Sequence, residues 1–147
     1  MQITSTAFEN NGRIPSKYTC EGENISPELV FLDIPTKARS LALICHDPDA
    51  PRAEGWTHWL LGNLHPMTQR LRENQPPTSG IGLTNDFGKQ SYGGPCPPQG
   101  LHRYFFYLFA LDSELKLDPS MGKKELEEAM EGHIIAQAEL VGLYKRN

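Results

Sequence analysis

The sequence predicts a mainly β protein, a β-sandwich or barrel with roughly one helix, formed by a single domain over residues 1–147. Three observations support this fold class. Glycine and proline together account for 25 of the 147 residues, which signals many turns and argues against a helical bundle. Short apolar segments alternate with these turns, as they do in sandwiches and barrels. Only one segment has the spacing of an amphipathic helix.

The strands are predicted where apolar runs end at turn residues, and they cover residues 28–34, 40–46, 57–64, 103–111 and 138–144. In the run from Arg103 to Leu111, both alternating sets of side chains are apolar. That pattern is typical of a central strand that is covered on both faces.

The clear helix begins at Lys123 and is expected to continue past Met130 through Ile134, although Gly132 weakens its far end. The segment Met67–Gln90 is polar and rich in glycine and proline. We interpret it as one long loop, and loops of that length are usually functional or disordered.

Charge and hydropathy exclude two classes of partner. The net charge is −4 and no basic cluster occurs beyond Lys145–Arg146, which argues against nucleic-acid binding. No apolar run approaches 18 residues, so no membrane span is expected. The N-terminal segment lacks a basic leader and an apolar stretch, which predicts a cytoplasmic protein.

The three cysteines, Cys20, Cys45 and Cys96, are widely spaced and odd in number. They are therefore expected to be reduced thiols, two of them buried. Cys96 lies in a stiff loop, where it is either a packed, inert side chain or a thiol activated by a neighbouring histidine. Cys45 and His46 are adjacent on a strand and point to opposite faces, which disfavours a catalytic pair.

The stiffest part of the chain is the segment Gly93–Gly100, which holds three prolines and three glycines. Proline fixes φ, and glycine allows a ligand to approach the backbone closely. The segment leads directly to His102 and Tyr104, at the start of an apolar strand. This arrangement is suited to building a small pocket.

A second polar group follows the strand at residues 40–46. Extended backbone before proline would place Asp47 and Asp49 on the same side. If the strands are neighbours, Asp47, His58, His102 and Tyr104 converge at one end of a sheet. Each residue also has a plainer explanation, because Asp before Pro commonly begins a turn and single histidines are commonly structural.

Strict strand alternation assigns His58 to the same face as Leu60 and Gly62, opposite Trp59. Tryptophans at such positions are most often core residues, and Arg103 is more readily an ion-pair partner than a ligand contact. Only the joint occurrence of two His, two Asp and the stiff loop points to a site.

Several motifs resemble one known family. Asp47–Pro51, His58-Trp59 and the loop Tyr92–Tyr104 resemble the signature regions of the phosphatidylethanolamine-binding proteins, in the form of their bacterial and archaeal Raf kinase inhibitor-like branch. Asn85–Gly88 and Glu131–Ala138 also resemble that branch.

The resemblance implies an antiparallel β-sandwich with a few peripheral helices. It implies a small pocket for phosphate, acetate-like ions or a phosphoethanolamine headgroup, with no cofactor and no metal. It also implies cis peptides at Ala50-Pro51 and Glu54-Gly55. The pocket residues that it implies are Asp47, Asp49, Trp56, His58, Pro98, Gly100, His102 and Tyr104.

Two departures from the eukaryotic pattern argue against eukaryotic-type kinase inhibition. The segment Pro51–Trp56 is short and lacks a tyrosine, and no helix follows the last strand before Asn147. The pocket is therefore expected to be more open, or to be closed by dimerisation.

Three functions remain open at this point. The favoured one is a non-enzymatic module, without an activated nucleophile, in which His N–H groups, the Tyr104 hydroxyl and loop N–H groups hold an anion while Asp47 fixes a histidine tautomer. The second is a metal-dependent hydrolase that uses Asp47, Asp49, His58 and His102. The third is a regulator that binds a kinase or protease.

Overall fold

The computed structural model describes residues 1–147 as two packed sheets and a short helix. The nine strands are β1 Gln2–Thr4, β2 Gly12–Arg13, β3 Leu29–Leu32, β4 Ser40–Asp47, β5 Trp56–Leu64, β6 Arg70–Leu71, β7 Ile81–Gly82, β8 His102–Leu111 and β9 Ile134–Tyr144. The α-helix α1 spans Lys123–Met130, and a 3₁₀ turn spans Ser16–Tyr18.

The small sheet has the order β1-β3-β6, and the large sheet has the order β2-β9-β8-β4-β5-β7. Every pairing is antiparallel except the short one between β2 and β9. The predicted fold class is therefore confirmed, with one parallel pair at an edge.

The main core lies between the two sheets, where side chains of β8 and β4 such as Phe106 and Leu43 meet Leu29 and Phe31 of the small sheet. A second, smaller core lies on the opposite face of the large sheet, where Leu126 of α1 packs. The large sheet therefore has one face inside the sandwich and one face that is covered in part by the helix.

Strand β8 is central, as its sequence predicts, since it lies between β9 and β4. Its inner face is fully buried, but coverage of the outer face is incomplete. Phe109 and Leu111 are buried beside the helix, whereas Phe105 and Tyr107 are half-buried and stack on each other with centroids 5.6 Å apart. The helix is too short to cover the whole strand.

The prediction that the helix continues through Ile134 is wrong. The helix ends at Met130, and Gly132 turns the chain with a φ of 81°. Only glycine adopts that conformation without a steric cost. Strand β9 then begins at Ile134, which places two β-branched residues at its start.

The segment Met67–Gln90 is more ordered than a single loop. It contains β6 and β7 and the buried residues Leu83 and Asn85. The Asn85 side chain donates to the carbonyls of His58 and Ser91, and its Oδ1 accepts from the amides of Phe87 and Lys89. One buried amide thus ties this segment to β5.

The predicted cis peptides at Ala50-Pro51 and Glu54-Gly55 are absent, because every peptide bond is trans. The turn before β5 is made instead by Gly55, which has a φ of 68° and donates its N–H to the carbonyl of Arg52. A Cβ at this position would lie 2.4 Å from the carbonyl oxygen of Asp47, so the site requires glycine.

The prediction of three reduced thiols is also wrong. Cys20 and Cys96 form a disulfide between positions 76 residues apart, and only Cys45 is free and buried. Wide sequence spacing does not reveal this pairing because the fold alone brings the two Cα atoms to 5.4 Å. None of the helices has the length and apolar character that crossing a membrane requires.

Candidate functional site

A cavity of about 380 Å³ opens where β4, β5 and β8 meet the stiff loop. Six of the eight residues that the sequence proposes for a site line it, namely Asp47, Trp56, His58, Pro98, His102 and Tyr104. A larger cavity of about 510 Å³ lies beside Trp59 and Tyr92, but no histidine or carboxylate lines it. The chemistry that the motifs predict is therefore concentrated in the smaller cavity.

His58 reaches this cavity through a β-bulge that strict alternation does not predict. Cys45 pairs with Trp59 and His46 with Thr57, so His58 is the extra residue on β5. The bulge turns His58 away from the face of Leu60 and toward that of Tyr104, whose ring centroid lies 5.2 Å away. Bulges re-aim side chains in this way.

His102 is held by a buried carboxylate. Its Nδ1 donates to Asp47 Oδ2 at 2.6 Å, and both side chains are at least nine-tenths buried. The second oxygen of Asp47 accepts the amide N–H of Asp49 at 2.7 Å. One oxygen of Asp47 therefore positions the ring and the other fixes the turn at Asp49, and the ring is left with Nε2 as the nitrogen available to a ligand.

His58 is oriented by the backbone instead. Its Nδ1–H donates to the carbonyl of Gly93 at 2.7 Å, since a carbonyl can only accept. Burial lowers the pKa of His58 below the usual value, and this effect outweighs the hydrogen bond to Gly93 and the charge of Asp47, which both act to raise it. At neutral pH His58 is thus a neutral imidazole whose Nε2 can accept a hydrogen bond.

Two buried polar atoms in the same cavity have no hydrogen-bond partner, Trp56 Nε1 and Tyr104 Oη. Burial, followed by the nearby charge of Asp47, raises the pKa of Tyr104 far above its usual value, so the phenol keeps its proton. Native proteins seldom leave such groups unsatisfied, and exceptions commonly mark a place for a ligand or water.

The structure places Asp49 and Gly100 outside the cavity lining. Asp49 accepts three hydrogen bonds from Arg103, one from its amide and two from its guanidinium, and these contacts lower the pKa of the carboxyl. Gly100 is exposed with a φ of 78° and shapes the loop only. Asp49 is therefore a loop anchor, as the ion-pair interpretation of Arg103 indicates.

Five lining residues were not among the predicted site residues. They are Ala50, Pro51, Phe87, Cys96 and Pro97. All lie within the motifs quoted above, so taking every residue of those motifs as a candidate would have included them. Phe87 is the least obvious, because it belongs to the segment interpreted as a loop. Its amide donates to the buried Asn85 side chain, and its ring lies 5.3 Å from that of His58 at the cavity.

The donor set does not favour a metal. No group of three or more His, Cys, Asp or Glu side chains is arranged to hold an ion. The interpretation of Asp47, Asp49, His58 and His102 as a metal-dependent hydrolase is therefore not supported, because these side chains do not converge on one point and Asp49 is paired with Arg103 outside the cavity.

Comparisons with known proteins agree with the resemblance. The chain matches the family model of phosphatidylethanolamine-binding protein over residues 4–145. It is 51% identical to the UPF0098 protein of Methanothermobacter thermautotrophicus, with 99% of each chain covered. It is 48% identical to the UPF0098 protein of Chlamydia muridarum over the full length of both chains.

Solved structures show the same similarity. The putative phosphatidylethanolamine-binding protein homolog CT736 from Chlamydia trachomatis superposes with a TM-score of 0.95 at 45% identity, covering 99% of this chain and 97% of that one. Escherichia coli YbcL, described as a new member of the mammalian PEBP family, gives 0.93 at 29% identity, covering 99% and 98%. The chain therefore belongs to the phosphatidylethanolamine-binding protein family.

Proposed function

We propose that this protein binds the oxyanion end of a small phosphomonoester, such as free phosphoethanolamine, without transforming it. The observation that carries this proposal is the pair of buried, unpartnered donors in one cavity, Trp56 Nε1–H and Tyr104 Oη–H. An oxyanion supplies the acceptors that both atoms lack.

The cavity also indicates how many protons the ligand carries. No lysine or arginine lines the cavity, and Asp47 places a carboxylate in its wall. A doubly charged anion would meet repulsion there without a compensating cation. The neutral His58 offers a hydrogen-bond acceptor. The favoured ligand therefore has one negative charge and one O–H that can donate a hydrogen bond, as a singly protonated phosphomonoester has.

The walls leave room for an organic substituent. Phe87, Pro51 and Pro98 provide apolar surface around the polar end, and a volume of about 380 Å³ lies within the range of small-ligand clefts. The lining contains no serine or threonine, and its one cysteine is in a disulfide. These features support binding rather than nucleophilic catalysis. Regulation of a kinase or protease, a cytoplasmic location and a homodimer stay predictions.

The proposal is tested by calorimetric titration with two ligands at pH 6, methyl phosphate and dimethyl phosphate. Methyl phosphate is expected to bind more tightly than dimethyl phosphate, because the diester has the charge but no proton for His58. Its affinity is expected to fall between pH 6 and pH 8 as the monoester loses its proton, whose pKa is about 6.

His102→Ala serves as the site variant, and His133→Ala, at the other end of β8, serves as the matched control. Loss of binding in the first variant alone supports the proposal. Equal binding of monoester and diester, or equal affinity in both variants, contradicts it.

A further inference from the structure

The disulfide Cys20–Cys96 forms part of the cavity itself. Cys96 lines the cavity, together with Pro97 and Pro98 that follow it. We propose that this disulfide is a thiol–disulfide exchange site for a dithiol reductant, and that its redox state controls how tightly the cavity holds its ligand. The second part rests on the proposed function, whereas the first part does not.

The two sulfurs differ in access. Cys20 is exposed, whereas Cys96 is half-buried against the cavity wall. Exchange requires an attacking thiolate to reach one sulfur while the other sulfur leaves. The exposure therefore favours attack at Cys20, with Cys96 as the leaving group.

A cation lies beside the leaving sulfur. Arg146 Nη2 is 3.1 Å from Cys96 Sγ and 3.7 Å from Cys20 Sγ. A neighbouring guanidinium stabilises a thiolate, and a more stable thiolate leaves faster. No other hydrogen bond within the chain uses the Arg146 guanidinium, so the bridge between Cys20 and Cys96 is its only hydrogen-bonding contact.

The exchange proceeds in two steps. One thiolate of the reductant attacks Cys20 Sγ, forms a mixed disulfide and breaks the Cys20–Cys96 bond, and the bonding pair leaves on Cys96 as a thiolate beside Arg146. The second thiol of the reductant, after losing its proton to solvent, attacks the mixed disulfide. It releases Cys20 as a thiolate that takes up a proton, and the reductant leaves as its own disulfide.

The disulfide is also the last covalent or hydrogen-bonded contact of the cavity wall before β8. Before the disulfide, hydrogen bonds hold the loop. The amide of Gly94 donates to Asn24 Oδ1, and the carbonyl of Pro95 accepts the amide N–H of Cys20. From Pro97 to Leu101 no residue makes a hydrogen bond, and the chain is tied again only at His102, where β8 begins. Reduction therefore leaves this part of the wall held only by the packing of the buried Pro97, and the ligand must then order the exposed Pro98 on binding.

The exchange is tested first by kinetics. Native protein is incubated with dithiothreitol, quenched with iodoacetamide and analysed by mass spectrometry. We expect two alkylated sites, Cys20 and Cys96, while the fold is retained and Cys45 is spared. Arg146→Gln is expected to slow the reduction severalfold, and Lys145→Gln, its exposed neighbour, is the matched control. Equal rates in the two variants, or reduction only on unfolding, would overturn the exchange site.

The coupling is tested by titrating inorganic phosphate into the oxidised and the dithiothreitol-reduced wild-type protein. Reduction is expected to weaken binding by about 5- to 30-fold, the cost of fixing the backbone of one residue. The Cys20→Ser/Cys96→Ser variant, checked for folding by circular dichroism, is expected to match the reduced protein. Equal affinities in oxidised and reduced protein overturn the coupling. If the oxidised protein binds no phosphate, the proposed function fails, and the reduction kinetics still decide the exchange site.

Discussion

The two ends of β8 carry the same pair of residues in opposite surroundings. At its start, His102 donates to Asp47 at 2.6 Å, and the two side chains are 8% and 3% exposed. Just past its end, His133 and Asp112 lie 2.8 Å apart, and their side chains are 44% and 49% exposed. Ser113 also contacts His133, at 3.3 Å and through the same ring nitrogen.

A histidine–carboxylate pair alone therefore does not make a binding site. At the exposed end, water can satisfy every polar atom, and Ser113 and Asp112 share Nδ1, so the trio lacks the geometry of a relay. At the buried end, the pair stands beside Trp56 Nε1 and Tyr104 Oη, which have no partner. Burial makes the unpaired donors costly, and that cost is what a ligand can relieve.

The largest difference between the two ends should appear when each carboxylate is removed. Asp47→Ala leaves His102 and the Asp49 amide without a buried partner, so we expect the free energy of unfolding to fall by about 3–5 kcal/mol and ligand binding to disappear. Asp112→Ala, in a solvated pair, should cost about 0–1 kcal/mol. Urea denaturation measures the free energy of unfolding of both variants. Similar losses in the two would show that burial does not distinguish the two pairs.

Tyr104→Phe should separate binding from stability. The change removes a buried hydroxyl that has no hydrogen-bond partner. The free energy of unfolding of the ligand-free protein should therefore stay unchanged or increase by about 1 kcal/mol. Phosphate affinity should nevertheless fall about 10-fold, because a hydrogen bond to a charged ligand is lost. Tyr107→Phe, on the outer face of β8, is the matched control in calorimetry and should change neither quantity. A loss of stability in Tyr104→Phe with intact binding would contradict the role of this hydroxyl.

The buried His58 should make stability depend on pH in a defined direction. Burial lowers its pKa in the folded state below the unfolded value of about 6.5. The unfolded chain therefore takes up the proton first, so the stability from neutral His58 is present above about pH 6.5 and is lost as the pH falls toward the folded pKa.

Denaturation at pH 7.5 and at pH 5.5 measures this effect. His58→Gln should reduce the loss of stability between these two values. A part of the loss should remain in the variant, because burial also lowers the pKa of His46. His133→Gln should behave like the wild type. An unchanged difference in His58→Gln would show that His58 is not held neutral by the fold.

The smallest effect is expected at Asp49, which the sequence places in the pocket and the structure places beside it. Asp49→Ala removes a partly exposed pair with Arg103, so its cost after solvent screening is about 0–1 kcal/mol. Phosphate affinity measured by calorimetry should be unchanged. A loss of affinity comparable with that of His102→Ala would return Asp49 to the site.

Local patterns in the sequence predict the large strands and part of the cavity, whereas Trp56 and Pro98 are implied only by the family resemblance. Alternating apolar runs locate β4, β5, β8 and β9, and the turn residues that follow or precede them bring Asp47 and His102 to one end of the sheet. These features require only the periodicity of a strand and the stiffness of proline.

What the sequence does not predict depends on contacts between distant segments or on single backbone angles. The bulge at His58 reverses one side chain without changing the apolar pattern of β5. The bridge between Cys20 and Cys96 joins segments that only the fold brings together. Gly132 ends the helix through a positive φ, although the residues around it continue the helical apolar stripe.

The most direct test of the site uses the two tryptophans, whose indole N–H groups give separate NMR signals. Trp56 lines the cavity with an unpartnered Nε1, whereas Trp59 directly follows the bulge at His58 and belongs to the main core. On titration with phosphate at pH 6, the Trp56 indole signal should move downfield as it gains an acceptor, while the Trp59 signal stays in place. A stationary Trp56 signal at saturating phosphate, or movement of the Trp59 signal alone, would contradict the central claim that buried donors in this cavity receive an oxyanion.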